Sequence, residues 1–220
     1  FYSNPPVLPW VASWAKKLFG CKLVFVSYDL YPELALRTGA LKTGSSVEKF
    51  LSHINKAVYP RLDRVVALSS EMKEFLQENR AIDQEKIAVI PNWYPDGGAP
   101  RKDLSRNRFV GDLGGKFVVS YFGNMGTIQD METILGAVRA LKDEPDIFFL
   151  FAGHGNKLEA LKQSIAREGL HNAQVLEYLH GQDYRDALEI SSAALISLEA
   201  GTTGLCVPSK TYSYMMEGIP

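Results

Sequence analysis

Three glycine-bearing segments and one lysine carry the residue types needed to hold a phosphate. The first is Gly123-Asn124-Met125-Gly126-Thr127-Ile128-Gln129-Asp130, which follows a β-branched apolar run. Glycines let backbone amides approach a ligand closely, and the helix expected after this segment presents a positive dipole end. The segment reads either as a phosphate cradle or as a plain tight strand-to-helix turn. It is neither a P-loop nor a full GxGxxG pattern. The second is Gly153-His154-Gly155-Asn156, which offers the same close approach. His154 itself reads as an incidental loop residue. The third runs from Glu199 through Gly204 and Leu205 to Pro208-Ser209-Lys210. A lysine at a helix start can neutralise a diphosphate, and a solvated lysine is the alternative.

A different chemistry is offered by Tyr28-Asp29-Leu30-Tyr31-Pro32-Glu33. Asp29 could orient or deprotonate an acceptor hydroxyl, or simply cap the following turn. Ser70 lies beside Glu71, but no histidine is near in sequence to suggest a triad, so Ser70 reads as a helix cap.

These residues depend on the elements that would position them. Short apolar, β-branched runs alternate with amphipathic stretches. Runs 22–27, 64–68 and 86–90 read as strands, with helices over 46–59 and from 70 onward. Residues 92–115 hold Pro95, Gly97, Gly98, Pro100, Gly111, Gly114 and Gly115 and read as a loop-rich connection. A second series follows: strands over 117–122, 147–151, 174–179 and 193–198, and helices over 131–141, 158–168, 184–192 and 212–216. Nearly continuous apolar strands between helices imply parallel sheets covered on both faces. The expected fold class is therefore α/β, with two Rossmann-like doubly wound domains at residues 1–95 and 96–220. In such sheets ligands lie beyond the carboxyl ends of the strands, where all three glycine-bearing segments fall.

Composition narrows the classes further. The 220 residues carry a net charge of −1, which argues against bulk attraction to nucleic acid. Two cysteines, Cys21 and Cys206, give neither a disulfide framework nor a metal pair, and a reducing cytoplasm is the natural setting. No apolar run approaches the roughly 20 residues of a spanning helix. Val11, Trp14, Ala15, Leu18 and Phe19, with Lys16 and Lys17 opposite, suit either a membrane-surface helix or a stripe packed on the first domain's sheet. The packed arrangement is the expectation. The chain begins without a methionine, and both ends read as cuts within a longer protein.

Several of these segments, taken in order, resemble family-4 retaining glycosyltransferases of the GT-B fold, in the subgroup that builds bacterial surface polysaccharides. Ile90-Pro91-Asn92-Trp93 resembles the family's I-P-N-G crossover between domains. Tyr121-Phe122-Gly123-Asn124-Met125-Gly126 with Gln129 resembles the subgroup's G-N-x-G-x-x-Q loop. Phe151-Ala152-Gly153-His154-Gly155 is similar to its G-x-G loop, and Asp29-Leu30-Tyr31-Pro32-Glu33 to its D-x-x-P-E. Pro208-Ser209-Lys210 through Tyr214, with Gly218 and Pro220, resembles P-S-K-x-x-E-Y-x-x-x-G-x-P.

The resemblance implies two GT-B domains, both incomplete here, and a nucleoside-diphosphate sugar as substrate, with no cofactor and no metal. Gly123, Asn124, Gly126, Gln129, Gly153 and Gly155 would bind the donor. Loop 178–181, with Leu179, would lie near the base, and Gly204 and Leu205 near the donor sugar. Glu199 and Ser213 complete the implied donor contacts, with Lys210 on the phosphates and Asp29 near the sugar. Where the commoner pattern has arginine and lysine, this chain has Asn124 and Gln129, leaving Lys210 as the main candidate cation. Ser213 stands where the ribose-binding glutamate is usual. The implied partners are the donor and a glycan or lipid-linked acceptor, with peripheral contact at the inner membrane. A sugar-nucleotide epimerase and a non-catalytic binding domain are the alternatives.

Overall fold

The computed structural model describes residues 1–93 and 104–220. Residues 94–103 of the expected loop-rich connection 92–115, and the expected boundary at 95/96, lie outside the described residues. The chain forms two compact units: Phe1–Asn92 with Ala200–Val207, and Trp93–Glu199 with Pro208–Pro220.

The first unit contains α1 (Leu8–Phe19), β1 (Val24–Ser27), α2 (Glu33–Arg37), α3 (Ser46–Val58), β2 (Arg64–Ala67), α4 (Ser70–Arg80) and β3 (Ile87–Val89). Its three strands pair in parallel in the order β1-β2-β3. Phe25, Val65 and Ala67 are buried strand positions, with Ile54, Val58, Met72 and Leu76 supplied by α3 and α4. Helix α4 is capped by Ser69, not Ser70. Ser69 is extended, and its hydroxyl accepts from the Met72 amide at 3.2 Å.

Two further expectations change in this unit. Segment 200–207 groups with it, because Asp29 bridges to Cys206 and the Leu30 amide donates to the Leu205 carbonyl at 2.9 Å. Backbone pairing binds the segment where sequence order alone assigns it to the second domain. The α1 stripe also departs from the packed arrangement: Pro9 is the buried residue of α1, and Val11, Trp14, Leu18 and Phe19 are exposed. On this helix the Lys16 ammonium bonds the Arg61 carbonyl at 2.9 Å and Asp63 at 2.6 Å.

The second unit contains α5 (Val110–Leu113), β4 (Phe117–Asn124), α6 (Met131–Ala140), β5 (Ile147–His154), α7 (Leu158–Glu168), β6 (Ala173–Leu176), α8 (Gly181–Glu189), β7 (Ala193–Ala194) and α9 (Lys210–Met216). The parallel sheet has the order β6-β5-β4-β7. Strand alternation builds both faces. Tyr121, Phe149 and Phe151 pack with Met131, Ile134, Leu135, Val138 and Leu161 on one side. Val118, Phe122, Leu150 and Ala152 pack with Leu188 and Tyr214 on the other. Strands β4 and β5 run further than the apolar pattern alone suggests, because Gly123-Asn124 stays in register with Gly153-His154. Strand β7 is shorter, two residues against an expected six.

Candidate functional site

The order of the second sheet reverses at β4. Its successor β5 lies on one side and β7 on the other. The carboxyl end of the strand at such a reversal is where doubly wound sheets bind ligands. That end is Gly123-Asn124.

Backbone crowding explains the glycines there. Gly153 has φ 155°, and a Cβ on it would overlap the Gly123 carbonyl. Gly155, at φ 130°, would likewise meet the Met125 carbonyl. The two strand ends are stapled together: the Met125 amide donates to the His154 carbonyl at 2.6 Å, and the Lys157 amide to the Met125 carbonyl at 2.9 Å. Gln129 is buried, and its side-chain oxygen accepts from the Gly126 amide at 2.9 Å. It shapes the loop from within. The amino end of α6 is also engaged, because Asp130 accepts from the Thr133 amide at 3.0 Å.

Lys210 opens α9 at the same rim. Its Nζ lies 3.5 Å from the centroid of the Tyr121 ring and 3.4 Å from the Asn124 carbonyl, to which the Tyr121 hydroxyl also donates at 3.1 Å. One helical turn later, Tyr214 fixes α9 to β4. Its hydroxyl accepts from the Phe122 amide at 2.8 Å and donates to the Phe122 carbonyl at 3.3 Å. The π face and the carbonyl favour a cation at Lys210, but burial outweighs them and lowers its pKa to about 7. Burial pushes Tyr121 up to about 12, so it is a neutral phenol beside the amine.

The other expected residues have the following neighbours. Glu199 pairs with Lys157 at 2.5 Å, and the same ammonium bonds the Gln129 carbonyl at 2.7 Å. Together they clasp the 126–130 loop to the segment after β7. Ser213 is buried, with its hydroxyl donating to the Lys210 carbonyl at 2.8 Å and accepting from Tyr184 at 3.3 Å. Leu179 packs into the core on the α8 side, while the neighbouring rings stand at the rim: Tyr178 lies 5.3 Å from His154 and 4.5 Å from His180. Leu205 is buried in the first unit, and Gly204, at φ 77°, lies against the Glu71 backbone there. Asp29 stands in the first unit beside Asn4, whose amide donates to it at 3.4 Å, and burial raises its pKa. Among the described residues, no group of three or more His, Cys, Asp or Glu could hold a metal. Sequence reasoning did not single out Lys157, and it quoted Tyr121 and Tyr214 only as motif positions with no role attached. Lys157 shows as a cation two residues after a G-x-G, but nothing local gives the two tyrosines a role.

The architecture is that of GT-B glycosyltransferases. More particularly, the chain is similar to proteins described as glycosyltransferases. Residues 1–93 match the family model described as a glycosyl transferase 4-like domain. The chain is 28% identical over 221 residues to "Probable glycosyltransferase WbjE" of Pseudomonas aeruginosa, covering 99% of this chain and 54% of that protein. It is 24% identical over 214 residues to WcaI of Escherichia coli strain K12, described as a colanic acid biosynthesis glycosyl transferase, covering 92% and 51%. The solved structure of Anabaena Alr3699/HepE in complex with UDP superposes with a TM-score of 0.75 at 18% identity, over 100% of this chain and 57% of that one. At that identity the likeness establishes the fold. The chain spans about half the length of the curated relatives it matches.

Proposed function

We propose that the protein of which this chain is part transfers a sugar from a nucleoside diphosphate to a glycan or lipid-linked acceptor, in surface-polysaccharide biosynthesis. The observation that carries the proposal is Lys210, held over Tyr121 at the carboxyl end of β4 beside the glycine-rich strand ends. Departure of the diphosphate accumulates negative charge. Backbone amides and a half-buried amine fixed in advance stabilise that charge where it develops. In this reading Gly123, Asn124, Gly126, Gly153 and Gly155 line the diphosphate, Lys210 supplies the cation, and residues 178–180 adjoin the base. Gln129, Glu199 and Ser213 support the loop and α9. Asp29 of the first unit is the proposed group for the acceptor hydroxyl.

The relatives named above are glycosyltransferases by name, which favours transfer over epimerisation. The Anabaena protein is solved with UDP, which makes uridine diphosphate sugars the first donors to try. Retention of anomeric configuration and a site of action at the cytoplasmic membrane face belong to the same proposal. The test is incubation of the full-length protein with sugar nucleotides and lipid-linked acceptor, with the product anomer read by NMR. A retained anomer supports the reading. Consumption of donor to an epimer without acceptor contradicts it.

A further inference from the structure

The loop that carries Asp29 is gripped by a buried arginine of the same unit. Arg80 is the last residue of α4, and its side chain is 8% exposed. The guanidinium carbon lies 5.4 Å from the Tyr59 ring centroid and 5.6 Å from that of Phe75. Nη2 of Arg80 donates to the Glu33 carboxylate, and also to the Tyr31 carbonyl at 3.3 Å. Asn55 of α3, itself buried, donates to the same carbonyl at 2.6 Å. On the other side of Asp29, the Ser3 hydroxyl accepts from the Tyr28 and Asp29 amides at 3.1 and 3.0 Å. The main chain is therefore held both before and after Asp29, while the carboxylate itself meets only the long Asn4 bond among the described residues.

Stability alone is a poor reason for such a pair. A buried ion pair is seldom worth more than well-packed apolar side chains of similar volume. Arg80 also keeps its Nε buried without a hydrogen-bond partner among the described residues, which costs folding energy. From this juxtaposition we infer that Arg80 is a positioning residue: with Glu33 and Asn55 it clamps segment 31–33 and so fixes where the Asp29 carboxylate stands toward an acceptor hydroxyl. The inference rests on the reading of Asp29 as the acceptor-side group. The clamp acts through the backbone rather than by charge, since burial is what raises the pKa of Asp29. Tyr31 and Cys206 are the titratable groups that face Asp29. Both are raised by burial first and by the Asp29 charge second, Cys206 to about 11, so both stay neutral where a carboxyl group titrates.

NMR of the full-length protein, isotopically labelled at the aspartate carboxyls, tests the clamp, with Asp29→Asn assigning the Asp29 signal. Glu33→Leu combined with Arg80→Met removes both buried charges together, so the thermal midpoint should stay within a few degrees of the parent's. The Asp29 titration midpoint should fall by about 0.5 or more toward the ordinary carboxylate value, because a loosened loop admits water. Transfer to a lipid-linked acceptor should drop about tenfold or more, while affinity for uridine diphosphate stays within about twofold. If that double variant does not fold, Arg80→Lys decides by the same readings. Its side chain is one bond shorter, and its ammonium falls short of holding Glu33 and the Tyr31 carbonyl together. An Asp29 signal that titrates as in the parent, in a folded clamp variant, overturns the inference while Asp29→Asn remains inactive. Full transfer by Asp29→Asn would instead refute the reading of Asp29, and the inference with it.

Discussion

Gly153 lies so close against Gly123 that the backbone of one occupies the space a Cβ on the other would need. The contact brings two neighbouring parallel strands to a shared end in register, so that both following loops leave from one place. Gly153→Ala should therefore destabilise the second unit by roughly 2–4 kcal/mol, combining backbone strain at φ 155° with overpacking. Thermal unfolding should show a midpoint lower by several degrees, while Gly136→Ala, in open space on α6, should not lower it.

The ionisation of Lys210 links pH to both stability and binding. Burial lowers its pKa from 10.5 to about 7, so between those values the unfolded chain holds a proton that the fold releases. Stability conferred through this group rises with pH across that window. Binding of a diphosphate has the opposite trend, since it favours the charged amine. Affinity should fall as pH rises from about 6 to 9, and calorimetry in buffers of differing ionisation enthalpy should show proton uptake on binding. In Lys210→Met both trends should flatten.

The Lys157–Glu199 pair is partly exposed, which limits its worth. Glu199→Gln should cost about 1 kcal/mol in denaturant unfolding. Its larger signature should be several-fold weaker diphosphate binding, because the clasp holds the 126–130 loop through the Gln129 carbonyl. Lys157→Met should reproduce both effects, and the double variant should be no worse than either single one.

Asp29 separates binding from transfer. Asp29→Asn keeps the shape and the Asn4 contact but removes the carboxylate. Transfer should fall at least a hundredfold in the full-length protein, the usual scale for a general base, while nucleotide affinity stays within about twofold.

Much of this was legible in the sequence because the signals were local. Apolar runs ending in glycine gave β4 and β5, and helical spacing gave α3, α6 and α7. What was not legible depended on contacts between distant segments. The sequence distance from Tyr121 to Lys210 hides their pairing, and Tyr121 has the same pattern value as any core aromatic. Glu199 and Gln129 looked free to meet a ligand because nothing local shows the Lys157 ammonium or the Gly126 amide that engages each. Segment 200–207 was assigned by order, and its backbone bonds to residues 29 and 30 decided otherwise. The exposed stripe of α1 has the same spacing as that of a packed helix, and the Lys16–Asp63 pair joins residues separated by β1, α2 and α3.

The most direct test compares uridine diphosphate with uridine monophosphate by calorimetry at pH 6.5, for the parent protein and for Lys210→Met. The account predicts that the diphosphate binds the parent at least tenfold more tightly than the monophosphate, and that the advantage largely disappears in the variant. Equal affinities in the parent, or an advantage that survives loss of Lys210, would contradict it.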